Sequence, residues 1–125
     1  MEREIKFRGK NKKNGEWFYG NLYDKDISGR TQICTTKKGC LDIDPETVGQ
    51  FTGLKDKNGK EIYEGDILEI DEEMYAKVVW NKEKASFEYQ YCKPIQIANT
   101  FHEFNMPYLL VVGNIYDNPE LLNKI

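Results

Sequence analysis

The sequence predicts a mainly β single domain of short antiparallel hairpins, coiled into a bent sheet or a partial, SH3-like barrel and finished by a short C-terminal helix. Three observations predict it. Apolar residues recur with period two in short runs, the period of a strand with one buried face. Asn-Gly, Ser-Gly and Lys-Gly pairs punctuate the first sixty residues, at Asn14-Gly15, Ser28-Gly29, Lys38-Gly39 and Asn58-Gly59. Tyr and Phe supply most of the aromatic 13%, a composition that suits pleated, half-buried surfaces.

Taken in order, Ile5 and Phe7 open a first strand, and WFYG at 17–20 begins its hairpin partner. Asp44-Pro45-Glu46 places a capping residue, a proline and an acid where a helical turn starts, but Val48, Gly49 and Phe51 resume a strand pattern at once. EGDILEI, AKVVWN and SFEYQY, from 64 to 91, read as a three-strand meander. In DILEIDEE, alternation sends Asp66, Leu68 and Ile70 to one side and Ile67, Glu69 and Asp71 to the other. The acids therefore split between faces instead of gathering for magnesium or acid/base work, the pattern of a solvated strand leading into a charged turn. Residues 96–105 fit two patterns: Ile97, Phe101 and Phe104 have helical spacing, while Ile95 and Ile97 alternate. Asn118-Pro119-Glu120 starts the final helix.

A chain of 125 residues builds one core, so residues 1–125 are expected to form one domain. The net charge of −3 creates no global field toward nucleic acid or an anionic membrane, but the charge is unevenly spread. Arg3, Lys6, Arg8, Lys10, Lys12 and Lys13 crowd the N-terminus, whereas residues 64–73 hold six acids and no base. No apolar stretch approaches the roughly 18 residues of a membrane span, and the N-terminus lacks a signal-peptide apolar region. A cytoplasmic protein is expected. Cys34, Cys40 and Cys92, odd in number and without a tight framework, fit a reducing compartment.

The stretch DKNGKEIYEGD, 56–66, resembles a calcium loop until its positions are counted. Lys60 falls where a fifth-position oxygen ligand is needed and Ile67 where a closing Glu is needed. A type I turn with a left-handed glycine fits far better: Asp56 at its first position, Asn58 at its third, Gly59 at its fourth, and Asp56 opposite Lys60. Asp56, Asn58 and Gly59 are therefore structural turn residues and no calcium is expected.

Asn14-Gly15, read as a two-residue type I′ loop, pairs Lys13 with Glu16 and Phe7 with Leu22. Ile5, Phe7, Phe18 and Leu22 then share a core face. The opposite face sets Trp17, Tyr19 and Tyr23 across from Lys12, Lys10 and Lys6, with Arg8 between. A basic strip interleaved with aromatics is the chemistry of single-stranded nucleic-acid platforms. Cross-strand cation–π packing, which needs no ligand, or burial of Trp17 and Tyr19 against another surface, explains the same pattern.

REIKFRGK at 3–10, WFYG, VGQFTGLKDKNGKEIYEGDI at 48–67 and VVGNIYDNPELL at 111–122 together resemble the YopX family, whose members are encoded by phages and prophages of Gram-positive bacteria. The resemblance implies a small β-rich domain, a phage context and a bacterial cytoplasm. It implies no reaction and no catalytic residue.

Other chemistries lack parts. His102 is the only histidine and has no identifiable partner, and Cys34 and Cys40 have no second pair to complete a zinc tetrahedron. No phosphate loop, dinucleotide fingerprint or G-x-S-x-G motif occurs. No catalytic residue, metal site or cofactor is therefore expected. The expected function is a non-enzymatic phage accessory protein acting by protein–protein contact, as a homo-oligomer or on a host or phage protein. The alternative is a single-stranded nucleic-acid binder using Lys6, Arg8, Lys10, Lys12, Trp17, Tyr19 and Tyr23.

Overall fold

A computed structural model describes residues 4–25, 27–70, 74–91, 98–101 and 106–123. The fold is mainly β: eleven described strands lie in two antiparallel sheets, with only short 3-10 turns between them. Neither sheet closes into a barrel in the hydrogen-bonded order of these strands. The chain forms two compact units, residues 1–53 and 54–125.

In the first unit, β1 (Phe7–Lys10), β2 (Trp17–Tyr23), β3 (Gln32–Thr35), β4 (Gly39–Asp42) and the start of β5 (Gly49–Lys55) follow the order β4-β3-β2-β1-β5. Its small core is Phe18, Ile33 and Ile43, with Phe7, Leu22, Leu41 and Val48 packed around it. A single bridge between Asn11 and Ile43 brings the end of β4 back to β1 and bends the sheet. Gly9 makes that approach possible, since a Cβ there would collide with the Cγ2 of Ile43. The Asp44-Pro45-Glu46 cap produces one 3-10 turn, Pro45–Thr47, with the Asp44 carboxylate accepting from the Glu46 N–H.

The first hairpin corrects the register read from Asn14-Gly15. Phe7 pairs with Gly20, Arg8 with Tyr19, Gly9 with Phe18 and Lys10 with Trp17. The loop has four residues, 12–15, because Asn11 itself caps it: its Oδ1 accepts from the N–H groups of Lys13 and Asn14. Asn14 in turn accepts from the Glu16 N–H, and Gly15 takes the left-handed conformation. The slip relative to the expected pairing is two residues, and a two-residue slip keeps every side chain on its face. Phe18 is thus buried as expected, but Ile5 is exposed rather than part of the core.

In the second unit, the end of β5 forms a hairpin with β6 (Glu61–Tyr63). Strands β7 (Asp66–Ile70), β8 (Met74–Asn81), β9 (Ser86–Tyr91), β10 (Ala98–Thr100) and β11 (Leu109–Asn114) then build a sheet in the order β10-β9-β8-β7-β11. The predicted meander is β7-β8-β9. Leu68, Ala76, Val78 and Tyr89 of the meander form the larger core together with Ile62 of β6 and Leu109 and Val111 of β11. Cross-strand partners stack within it, Leu68 beside Ala76 and Val111, and Val78 beside Tyr89. Phe101 meets the Tyr89 ring edge-on at 5.2 Å.

Strand β7 departs from the expected solvated strand. Asp66, Ile67 and Leu68 are all buried, because β7 lies between β8 and β11 instead of at an edge. The Asp66 carboxylate is satisfied locally, accepting from the Tyr63 N–H at 2.7 Å across the Glu64-Gly65 turn. Within 96–105 a short strand, β10, pairs with β9. His102, Phe104, Cys92, Ile95, Ile97, Arg3 and the acids at 71–73 lie outside the described residues. The C-terminal helix is a 3-10 segment, Pro119–Asn123.

Candidate functional site

Four of the seven strip residues come together in the observed register. Alternation puts Arg8 and Lys10 of β1 on one face with Trp17 and Tyr19 of β2, in the pairs Arg8–Tyr19 and Lys10–Trp17. The Arg8 guanidinium lies 4.7 Å from the Trp17 ring centre and the Lys10 ammonium 5.7 Å from it. Two cations on one indole are held by the ring's quadrupole, so the strip is in part its own partner. Arg8 is buried at 5% exposure, which removes it from any surface that a ligand reaches.

The other three are dispersed. Lys6 pairs with Glu4 at 2.9 Å and lies 5.2 Å from the Phe51 ring, far from the arrangement opposite Tyr23 that the two-residue loop required. Lys12 stands in the four-residue loop. Tyr23 sits at the far end of β2, paired with Gln32 of β3. Tyr19 and Tyr23 are 46% and 56% exposed, the large hydrophobic groups that this face turns outward.

The same face continues over β3 and β4, which the sequence reading did not include. Asn21 is opposite Cys34, Cys34 opposite Cys40, and Gln32 opposite Asp42. Cys34 and Cys40 are joined by a disulfide. The odd cysteine count suggested no disulfide framework and a reducing compartment. The bond departs from that expectation, because the tight β3–β4 turn brings positions 34 and 40 directly across from one another. The periodicity of QICT and GCLD around Lys38-Gly39 was the available signal.

Beside β4 a cleft of about 350 Å³ is lined by Lys12, Lys13, Arg30, Gln32 and Asp42 among others. Asp42 organises its wall, accepting from Gln32 Nε2 at 3.0 Å and lying 3.8 Å from the Arg30 guanidinium. Arg30 also donates through Nε to Ser28 Oγ at 2.8 Å. Three cations against one acid leave the cleft with a positive potential, which suits an anionic group and nothing more specific.

The turn at 56–59 has a structural chemistry of its own. Asp56 Oδ1 accepts from the N–H groups of Asn58 and Lys60, and its carbonyl accepts from Gly59. Gly59 has φ of +84°. Asp56 Oδ2 accepts from the N–H of Val111 in β11, 55 residues on, and Lys57 donates to the Leu109 carbonyl. Three N–H donors converge on one buried carboxylate, a surrounding that would repel a calcium ion. Among the described residues no group of three or more His, Cys, Asp or Glu side chains gathers as a metal site.

No helix among the described residues is long and apolar enough to cross a membrane. No curated protein matches the sequence. Among solved structures, the protein EF1440 from Enterococcus faecalis is similar at 26% identity, with a TM-score of 0.63 over 97% of this chain and 99% of that one. The family model described as YopX protein matches residues 6–123, nearly the whole length, and the chain therefore belongs to the YopX family.

Proposed function

We propose that the chain is a non-enzymatic phage accessory protein that acts by protein–protein contact, self-association included, through the solvent face of the first sheet. The observation that carries this reading is the exposure of Tyr19 and Tyr23 on ordered strand backbone. Such rings lose little conformational freedom on binding and are enriched at interface centres. Trp17, braced by Arg8 and Lys10, adds a pre-ordered aromatic at the β1 side. The phage context and a bacterial host cytoplasm come from the family resemblance. No reaction is assigned.

Light scattering after gel filtration at micromolar concentration tests the self-association. A mass near 14.7 kDa at low and physiological salt removes it. Affinity capture from phage-infected host lysate, with and without nuclease, tests the wider reading. Capture that survives nuclease and is lost in the Tyr19→Ser/Tyr23→Ser variant supports it, and capture unaffected by that variant moves the contact elsewhere.

A second reading, single-stranded nucleic-acid binding, is favoured by the cleft cations Lys12, Lys13 and Arg30, contributed by loops of the same unit as Trp17 and Tyr19. Binding of a labelled oligonucleotide should then weaken steeply with salt and again in Trp17→Ala. Indifference to both changes excludes it.

A further inference from the structure

We infer that Cys34 and Cys40 form a reversible oxidation site, a dithiol that a small disulfide such as oxidised glutathione closes and that a dithiol reductant reopens. The inference stands on the β3–β4 hairpin alone and is independent of the contact surface proposed above.

Three observations carry it. First, the two cysteines face each other by register in adjacent strands joined by a short turn, so closing the bond requires no search through chain conformations. Second, the hairpin is held without the sulfurs. Gln32, Ile33 and Thr35 pair with Asp42, Leu41 and Gly39 on either side of the cysteines. The turn is closed by Lys38 N–H donating to Thr35 Oγ1 at 2.8 Å, and Ile33 is fully buried. Opening the bond therefore leaves both thiols in place for the next oxidation. Third, Cys40 is exposed and Cys34 half-buried, so one thiol is accessible to a reagent and the other is poised as its resolving partner.

The exchange balances without any further group. The Cys40 thiolate attacks one sulfur of the oxidant, forming a mixed disulfide and releasing one thiolate. The Cys34 thiolate then attacks the Cys40 sulfur and expels the second. Two electrons pass to the oxidant, and the two protons lost by the cysteines go to the two thiols released. Cys40 also lines the cleft beside Lys12, Lys13 and Arg30, so the redox state alters a wall of that cleft.

The test equilibrates the folded full chain with graded ratios of reduced to oxidised glutathione, quenches with an alkylating reagent and maps tryptic peptides. Cleavage after Lys37 or Lys38 separates Cys34 from Cys40, and Cys92 is scored on its own peptide. Cys34 and Cys40 should pass together from labelled to protected, revert on adding dithiothreitol without denaturant, and leave the far-ultraviolet circular dichroism unchanged. In Cys34→Ser, Cys40 should carry a label or a glutathione adduct at every ratio. Four results would each overturn the inference: labelling of both at every ratio, protection that dithiothreitol removes only from unfolded chain, loss of folded signal on reduction, or a bridge to Cys92 or to another chain.

Discussion

The two units of this chain solve the same problem with different proportions. The second has seven buried apolar residues in one cluster, stacked as cross-strand partners over a five-stranded sheet. The first has three, with a glycine admitting Ile43 to the sheet and a disulfide and cation–π contacts on the opposite face. Hydrophobic burial stabilises by roughly 25 cal/mol per Å² of apolar surface, so the larger cluster marks where most of the stability resides. The smaller unit carries the exposed tyrosines and the positive cleft. Regions of low local stability are the ones from which binding elements are commonly drawn. On the reading proposed above, the contact surface lies on the less heavily buried unit, residues 1–53.

The largest expected effect is in the second core. Leu68→Ala should cost about 3 kcal/mol, because a fully buried leucine between Ala76 and Val111 leaves a cavity. Urea unfolding followed at Trp80, in a Trp17→Phe background, measures it. An equal shift at Trp17, in a Trp80→Phe background, would mean that both cores unfold as one, and the contrast would then lack thermodynamic content.

Gly9→Val tests the first core in the same way. Its added side chain must displace Ile43, at a cost of about 2 kcal/mol read from the Trp17 transition. A midpoint within error of the wild type would show that the β4 end is free to move off β1. Next comes Gly59→Val, expected to cost about 1–2 kcal/mol, since φ of +84° strains a β-branched residue. Calcium added at millimolar concentration should leave the wild-type midpoint unchanged, and a saturable rise would disprove the turn's purely structural role. The smallest effect is Tyr23→Ser, expected to change stability by less than about 0.5 kcal/mol, as exposed positions do. A larger loss would mean that this tyrosine supports the fold and is not a spare contact group.

What was legible in the sequence follows from how local each feature is. AKVVW and SFEYQY declared their strands because alternation and β-branched or aromatic content agree there. The turn at Asp56 was readable because its flanking charges pair in one register only. At Asn14-Gly15 the glycine was visible, but the decisive group is the Asn11 side chain three residues earlier, and its competition for backbone N–H groups is not written in the turn dipeptide. Burial of β7 on both faces depends on β11, some forty residues distant, and no local pattern reports it. Whereas Lys6 and Lys12 fall outside the paired strands, Arg8, Lys10, Trp17 and Tyr19 still share one face because a slip of two preserves parity. Their burial and mutual stacking were not readable, since alternation says which face a side chain occupies and not how deep it lies.

Asp56 gives the molecule a timetable as well as a tie. Its Oδ2 is filled by Val111, 55 residues further along the chain, while Oδ1 is filled within the turn itself. As the chain is synthesised, the hairpin at 56–59 can close early, whereas one oxygen of its carboxylate stays solvated until β11 has emerged and docked beside β7. Bringing Val111 back to Asp56 closes a far longer loop than the turn does, so this tie costs more chain entropy than the turn's own hydrogen bonds. A nascent or truncated chain ending before residue 111 leaves the edge of β7 unpaired and open to other strands. The final fifteen residues thus act as a completeness check on the fold that precedes them.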